Sequence, residues 1–197
     1  MSFNIEEFKS RGLPGGGARP TQFMVEMYPP PALGVNNAER IKFVCTAAQI
    51  PPAIVSPVQV AYFGRIVKFA GDRDFPDWTV TVMNDSDFYV RKVMERWSTS
   101  INTLVSNVMR PELWPTGYKT SAEVTQFRND GEPISTYIFE GLWPNQVDAI
   151  PLDWEAMNQI ERFDVTFSFD YWLPKQGNSL ARTSTEGTEN EEINLPL

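Results

Sequence analysis

From Phe163 to Tyr171 apolar and polar residues alternate without a break, with Phe163, Val165, Phe167, Phe169 and Tyr171 on one side and Asp164, Thr166, Ser168 and Asp170 on the other. A period of two predicts a strand with one dry and one wet face. Trp78 to Met83 repeats the pattern on a smaller scale, Val80 and Val82 against Thr79 and Thr81. With Arg65 to Phe69 it predicts a half-buried hairpin around the charged turn Gly71-Asp72-Arg73-Asp74. Ser121 to Arg128 and Ile134 to Leu142 predict a second hairpin, because Asn129-Asp130-Gly131 between them supplies the positive backbone angles of a tight turn. Phe23 to Tyr28 and Ile41 to Ala47 predict a third, hairpin-like pair across Pro29-Pro30-Pro31 and Asn36-Asn37.

Only one segment changes period. Val90, Met94, Trp97, Ile101, Leu104 and Val108 recur every three or four residues after the capping candidates Asn84-Asp85-Ser86. They predict an amphipathic helix over roughly Asp87 to Val108, ended by Pro111 and Pro115, whose stripe covers one side of a sheet. Ile50 to Ala61 fits neither template. Pro51, Pro52 and Pro57 exclude a central strand, while Ile54, Val55, Val58 and Val60 are too apolar for a wet loop. An arm needing a partner and a loop folded over its own core both satisfy this stretch.

Composition supports one β-dominated domain. The chain has 197 residues, 42% of them apolar, with 13 Phe and 6 Trp beside 16 Pro and 12 Gly, which suits short strands punctuated by turns. Residues 1–18 end in Gly12-Leu13-Pro14-Gly15-Gly16-Gly17 and read as a mobile arm; a phosphate-binding loop is excluded because Ala18-Arg19-Pro20 follows instead of Gly-Lys-Ser/Thr. Residues 19–172 form the predicted domain. Residues 173–197 read as a flexible extension, its composition shifting to Ser, Thr, Glu, Asn and Gly from Lys175 onward. The single Cys45 precludes an internal disulfide and fits a reducing cytoplasm. Ser2 to Arg19 lacks the apolar core of a signal peptide, and no run of eighteen apolar residues is present to anchor the chain in a membrane.

Charge and side-chain inventory narrow the chemistry. The chain contains no histidine, which removes Ser-His, Cys-His and most zinc arrangements. A formal charge of −8 opposes stable binding to phosphate backbones. Asp85-Ser86-Asp87 lacks the further ligands of a calcium loop, and pairs such as Asp72/Asp74 would need a cleft to act as glycosidase carboxylates. No catalytic residue, cofactor or metal site is therefore expected. Asp72, Arg73, Asp74 and Asp77 suit a salt-linked turn or a charged contact to another subunit. Trp78, Trp143 and Trp154 suit core or interface anchoring.

Three separated motifs occur in a recognisable order: the run Ala70 to Asp85, then Gly141-Leu142-Trp143-Pro144, then the closing aromatic strand Phe163 to Trp172. Over Arg19 to Trp172 the chain resembles the tail tube proteins of contractile-tailed bacteriophages of the T-even type. The resemblance implies an antiparallel β-barrel or sandwich with one flanking α-helix, built into stacked hexameric rings that form a hollow tube inside the sheath of a virion. It implies further partners: the tail sheath protein, baseplate proteins that initiate the tube, a tape-measure protein, and genomic DNA passing through the lumen. Assembly in the host cytoplasm follows from the same resemblance.

On that reading Ile54, Val55, Val58 and Val60, with Asp72, Arg73 and Asp74, are candidates for inter-subunit contacts. Asp164, Thr166, Ser168 and Asp170 are candidates for a lumen wall that repels phosphates, with ordinary outer exposure as the competing assignment. A tube-nucleating baseplate protein and a secretion-system tube protein are the alternatives within the class. A carbohydrate-active enzyme or lectin and a single-stranded nucleic-acid binder are the alternatives outside it. Typical relatives end near the aromatic strand, so the extension is a departure from the pattern.

Overall fold

A computed structural model describes residues 4–13, 16–35, 39–109 and 116–175. The expected flexible tail therefore lies almost wholly outside the described residues. Among the described residues, nine strands and three α-helices follow in the order α1 (Ile5–Glu7), β1 (Phe23–Met27), α2 (Glu39–Val44), β2 (Cys45–Ala48), β3 (Ile54–Tyr62), β4 (Arg65–Asp74), β5 (Trp78–Met83), α3 (Tyr89–Ile101), β6 (Thr120–Phe127), β7 (Pro133–Val147), β8 (Arg162–Ser168) and β9 (Tyr171–Pro174). The fold is mainly antiparallel β, as its alternating sequence predicts.

Seven strands form one hydrogen-bonded ladder in the order β1-β6-β7-β8-β5-β2, with β9 also paired to β7. The long strand β7 belongs to two layers. Its first part pairs with β6 and β9, and its last residues, Trp143 to Val147, pair with β8. Gly141 marks the change at φ +71, where a Cβ would stand 2.1 Å from a carboxylate oxygen of Asp170. Only glycine fits that close approach. The inward position shifts there from Phe139 to Leu142 and Pro144, the signature of a bulge that bends a strand and re-aims its side chains. Asp170 donates its backbone N–H to the Glu140 carbonyl at 2.9 Å, so β8 and β9 bend with their partner. The two layers meet face to face: the Trp78 ring of β5 stacks on Phe139 of β7 at 4.3 Å, and Phe139 meets Phe169 edge-on at 5.0 Å. Among the described residues no ladder joins β1 to β2, so the expected barrel or sandwich is realised as a bent, open sandwich.

Helix α3 seals this core through Val90, Val93, Met94 and Trp97, all buried. Trp97 lies 6.2 Å from the Phe167 ring and satisfies its indole N–H on the Tyr118 carbonyl at 2.8 Å. The helix is shorter than its periodicity predicts. Phe88 takes a left-handed φ of 54, so the first helical N–H, that of Tyr89, is capped by the Asp85 carboxylate at 2.9 Å. At the other end Asn102 is extended, and Leu104, Val105 and Val108 turn into solvent.

Four further expectations require correction. Ile41 to Ala47 is not one strand: Glu39 to Val44 is helical, burying Ile41 with Val44 three residues on against the core, and only Cys45 to Ala48 is extended. A short apolar run does not distinguish the two periods by itself. Nor do Phe23–Tyr28 and Ile41–Ala47 pair, since β1 joins β6 and β2 joins β5. Gly71-Asp72-Arg73-Asp74 is no hairpin turn; it continues β4, which pairs with β3 rather than β5. Tyr171 leaves the inward row because the bend at Phe169-Asp170 breaks the alternation, and Trp172 packs on the core in its place. The N-terminal arm, expected to be mobile, has helical turns over Ile5–Glu7 and Phe8–Gly12 with exposed side chains.

Candidate assembly surfaces

The β3–β4 hairpin stands apart from the seven-stranded ladder as a two-stranded sheet. Phe63 and Gly64, both at positive φ, form its two-residue tip, the connection that matches the twist of paired strands. At the base Gly71 passes so close to β3 that a Cβ would lie 2.5 Å from the Ser56 carbonyl oxygen, beside the register shift at Pro57. Every residue of β3 is exposed, as is nearly all of β4. Val58 is 52% exposed and Phe63 89%.

The two groups of contact candidates meet here. Ile54 stands opposite Asp74 and Val55 opposite Arg73 in one register, while Val58 faces Phe69 and Val60 faces Val67. The charged residues form the foot of an apolar blade. Among the described residues Asp72, Arg73 and Asp74 make no salt bridge with one another, so the salt-linked turn is not formed. The sequence reading missed the outer half of the blade: Tyr62, Phe63, Ile66, Val67 and Phe69 are exposed too. Their signal was the apolar alternation beyond Ala61, masked by assigning Arg65–Phe69 to a different partner strand. A lone hairpin with apolar side chains on both faces has little independent stability in water.

The polar face of β8 is a hydrogen-bonded surface. Thr166 shares a hydroxyl contact with Thr79 at 3.1 Å, and Ser168 donates to Asp77 at 2.6 Å. Asn145 of β7 donates to the other Asp77 oxygen at 2.7 Å and to Ser168 at 2.9 Å. Asp77, read as part of a charged turn, is thus the acceptor that joins three strands. Asp164 lies in register with Thr81 on the same face. Asp170 sits at the bend and pairs with Lys119 at 2.7 Å, apart from the other three. On the other layer Glu26 accepts from Lys42 and from Tyr28 (2.9 Å), hydrogen bonds that hold its carboxyl below its ordinary value, Lys42 contributing most.

The three tryptophans singled out part company. Trp78 is buried, Trp143 is half-buried against Tyr118, and Trp154 is fully exposed on the β7–β8 loop beside a depression of about 790 Å3. Among the described residues no group of three or more Cys, Asp or Glu side chains is placed to hold a metal ion, and no helix is long and apolar enough to cross a membrane.

Comparison with known proteins agrees with this architecture. The phage tail tube protein family matches residues 18–175. The tail tube protein gp19 of Enterobacteria phage T4 is 37% identical, the alignment covering 80% of this chain and 92% of the relative. The tail tube protein of Serratia phage KSP90 is 24% identical over 81% of this chain and 90% of its own length. Among solved structures, a chain of the sheath–tube complex of an extracellular contractile injection system superposes with a TM-score of 0.56 at 13% identity, covering 88% of this chain and 99% of the other. At that identity the likeness is one of fold.

Proposed function

The chain belongs to the phage tail tube protein family, and we propose that it builds the inner tube of a contractile tail as stacked hexameric rings that guide DNA into the host. The exposed β3–β4 blade carries the proposal. Apolar residues on both faces of a projecting hairpin are stabilised only when another surface covers them, and in a homopolymer that surface belongs to another copy. Sixfold rotation closes one set of contacts into a ring, while axial contacts repeat without closure and yield a filament. Ile54, Val55, Val58 and Val60 supply the apolar part of the inter-subunit contact. Asp72, Arg73 and Asp74 at its foot select orientation, the role that exposed charges serve better than stability.

The face of Asp164, Thr166 and Ser168, with Asp170 at its bend, is assigned to the lumen. Acidic and hydroxyl groups repel or weakly hydrate passing phosphates, whereas a basic wall would hold DNA by counterion release. The subunit's role is structural, without catalysis. Its partners are its own copies, the sheath around the tube, the baseplate proteins that start it, and the tape-measure protein and genome within. It assembles in the host cytoplasm before joining the virion.

Negative-stain microscopy of the purified chain tests the assembly: hexameric rings or hollow filaments support it, and monodisperse monomers under all conditions overturn it. A cryo-EM map of the tube tests the lumen assignment, which fails if Asp164, Thr166 and Ser168 point toward the sheath.

A further inference from the structure

The β3–β4 blade is matched by a second bare apolar surface on the subunit. Between β7 and β8 the side chains of Leu152, Trp154, Met157 and Ile160 all stand in solvent, and three of them, Leu152, Trp154 and Ile160, line the depression of about 790 Å3. Exposed tryptophan beside other large apolar groups is the composition of an anchor for a partner surface.

The two surfaces carry opposite charge. From Ile54 to Phe69 the blade holds Arg65 and Lys68 and no carboxylate, whereas residues 148–161 hold Asp148, Asp153, Glu155 and Glu161 and no Lys or Arg. Asp148 accepts from Gln146, Glu161 accepts from Asn84 at 2.8 Å, and Asp153 accepts the Glu155 backbone N–H at 2.9 Å. Among the described residues Arg65, Lys68, Asp153 and Glu155 form no salt bridge. The blade's register sorts its side chains by face: Val58 stands opposite Phe69, Val60 opposite Val67, and Tyr62 opposite Arg65, so one face is apolar with a cation at its outer end. Gln59, Lys68, Ala61 and Ile66 make the reverse face.

The surfaces also lie at opposite ends of the β5–β8 pair. Trp78, which the chain reaches from β4 through residues 75–77, stands opposite Phe167, and Met83 stands opposite Arg162, the residue that follows the β7–β8 loop. Those ends are about 17 Å apart at the rise of a strand. A blade rooted at one end and a receiver at the other make a head-to-tail contact, which repeats without closing when copies are displaced along the strands.

We infer that the apolar face of the blade seats on the β7–β8 loop of a second copy of the chain, with Val60, Tyr62 and Val67 against Leu152, Trp154 and Ile160 and with Arg65 toward Asp153 and Glu155. The contact joins successive copies along the tube axis; it rests on the proposed self-assembly and names the surface that receives the blade. Lys68 on the reverse face adds to the same attraction. The charges fix direction and register, and the apolar groups supply the burial.

Mixed cross-linking of full-length chains tests this. In a Cys45→Ser background, one population carries Tyr62→Cys and the other Leu152→Cys, and the two are mixed and mildly oxidised. The expected product is the disulfide between positions 62 and 152, which only two different subunits can form. Arg65→Glu with Lys68→Glu in the first population slows its formation by roughly tenfold or more without changing the melting temperature, and Asp153→Lys with Glu155→Lys in the second restores the rate. Absence of the 62–152 disulfide, a predominance of 62–62 disulfides from blades pairing with each other, or a rate indifferent to the charge reversals overturns the inference. Electron microscopy of the unsubstituted chain separates the two readings. Tubes without the 62–152 product reject this contact and leave the tube assignment standing, whereas cross-linked pairs without rings or filaments uphold the contact and reject the tube.

Discussion

By sequence strand β3 is more apolar than strand β8, yet β3 is bare and β8 lies at the centre of the core. In β8, Phe163, Val165 and Phe167 point inward with polar residues between them; β5 and β7 flank the strand, and Trp97 of α3 packs near Phe167. In β3, Val58 and Val60 are paired only with β4, and neither face of that two-stranded sheet is covered. The first kind of strand stabilises the subunit. The second kind leaves its apolar surface open, which the proposed contact between subunits would cover. Mutations in the two regions should therefore separate folding from assembly.

The largest expected effect is in the core. Trp97→Ala removes the indole that fills the space beside Phe167 and should destabilise the subunit by about 3–5 kcal/mol, measured by denaturant or thermal unfolding. Gly141→Ala comes next, at about 1–3 kcal/mol, because it combines a positive φ with a clash against Asp170. Asp170→Gly in that background should recover part of the loss by removing the clashing carboxylate, although Lys119 then loses its partner. If Gly141→Ala is neutral, the two layers are not locked at this bend.

Replacing Val58 and Val60 together with Asp should inhibit polymerisation completely while moving subunit stability by roughly 0.5 kcal/mol or less. Electron microscopy and the melting temperature read the two quantities independently. A large loss of stability would mean that the blade supports its own subunit and would erase the contrast between the regions.

The smallest effect is electrostatic. Glu26 has its carboxyl lowered by hydrogen bonds from Lys42 and Tyr28. A depressed folded value means stabilisation that is fully present above the ordinary carboxylate range near ~4.3 and is lost as pH falls through the lowered value. The pair is partly exposed, so Glu26→Gln should remove at most about 1 kcal/mol at neutral pH. It should also flatten the acid limb of the stability profile, and an unchanged limb would show that Glu26 titrates as it does in the unfolded chain.

Much of the fold was legible in the chain because the relevant signals are local. Strict alternation places Phe163, Val165 and Phe167 inside, and Asp130-Gly131 announces the β6–β7 turn, where Gly131 does take a φ of +88. The family was legible too, since three motifs kept their order over most of the chain. Helix α2 was hidden because six residues containing Ile41 and Val44 suit either period, and the choice was made by the core beneath them. The partner of β4 was hidden for another reason. Charged residues at Asp72, Arg73 and Asp74 resemble a turn in sequence, but a register that sets Arg73 and Asp74 opposite Val55 and Ile54 extends the strand through them.

By itself the sequence determined which residues shun water and which local angles the backbone can adopt, because these depend on side-chain chemistry and near neighbours. Only the tertiary structure decided where those apolar faces find cover. Pairing is a choice among distant segments, and it set β8 between β5 and β7 with α3 packed on its inward side, while β3 and β4 pair only with each other among the described residues.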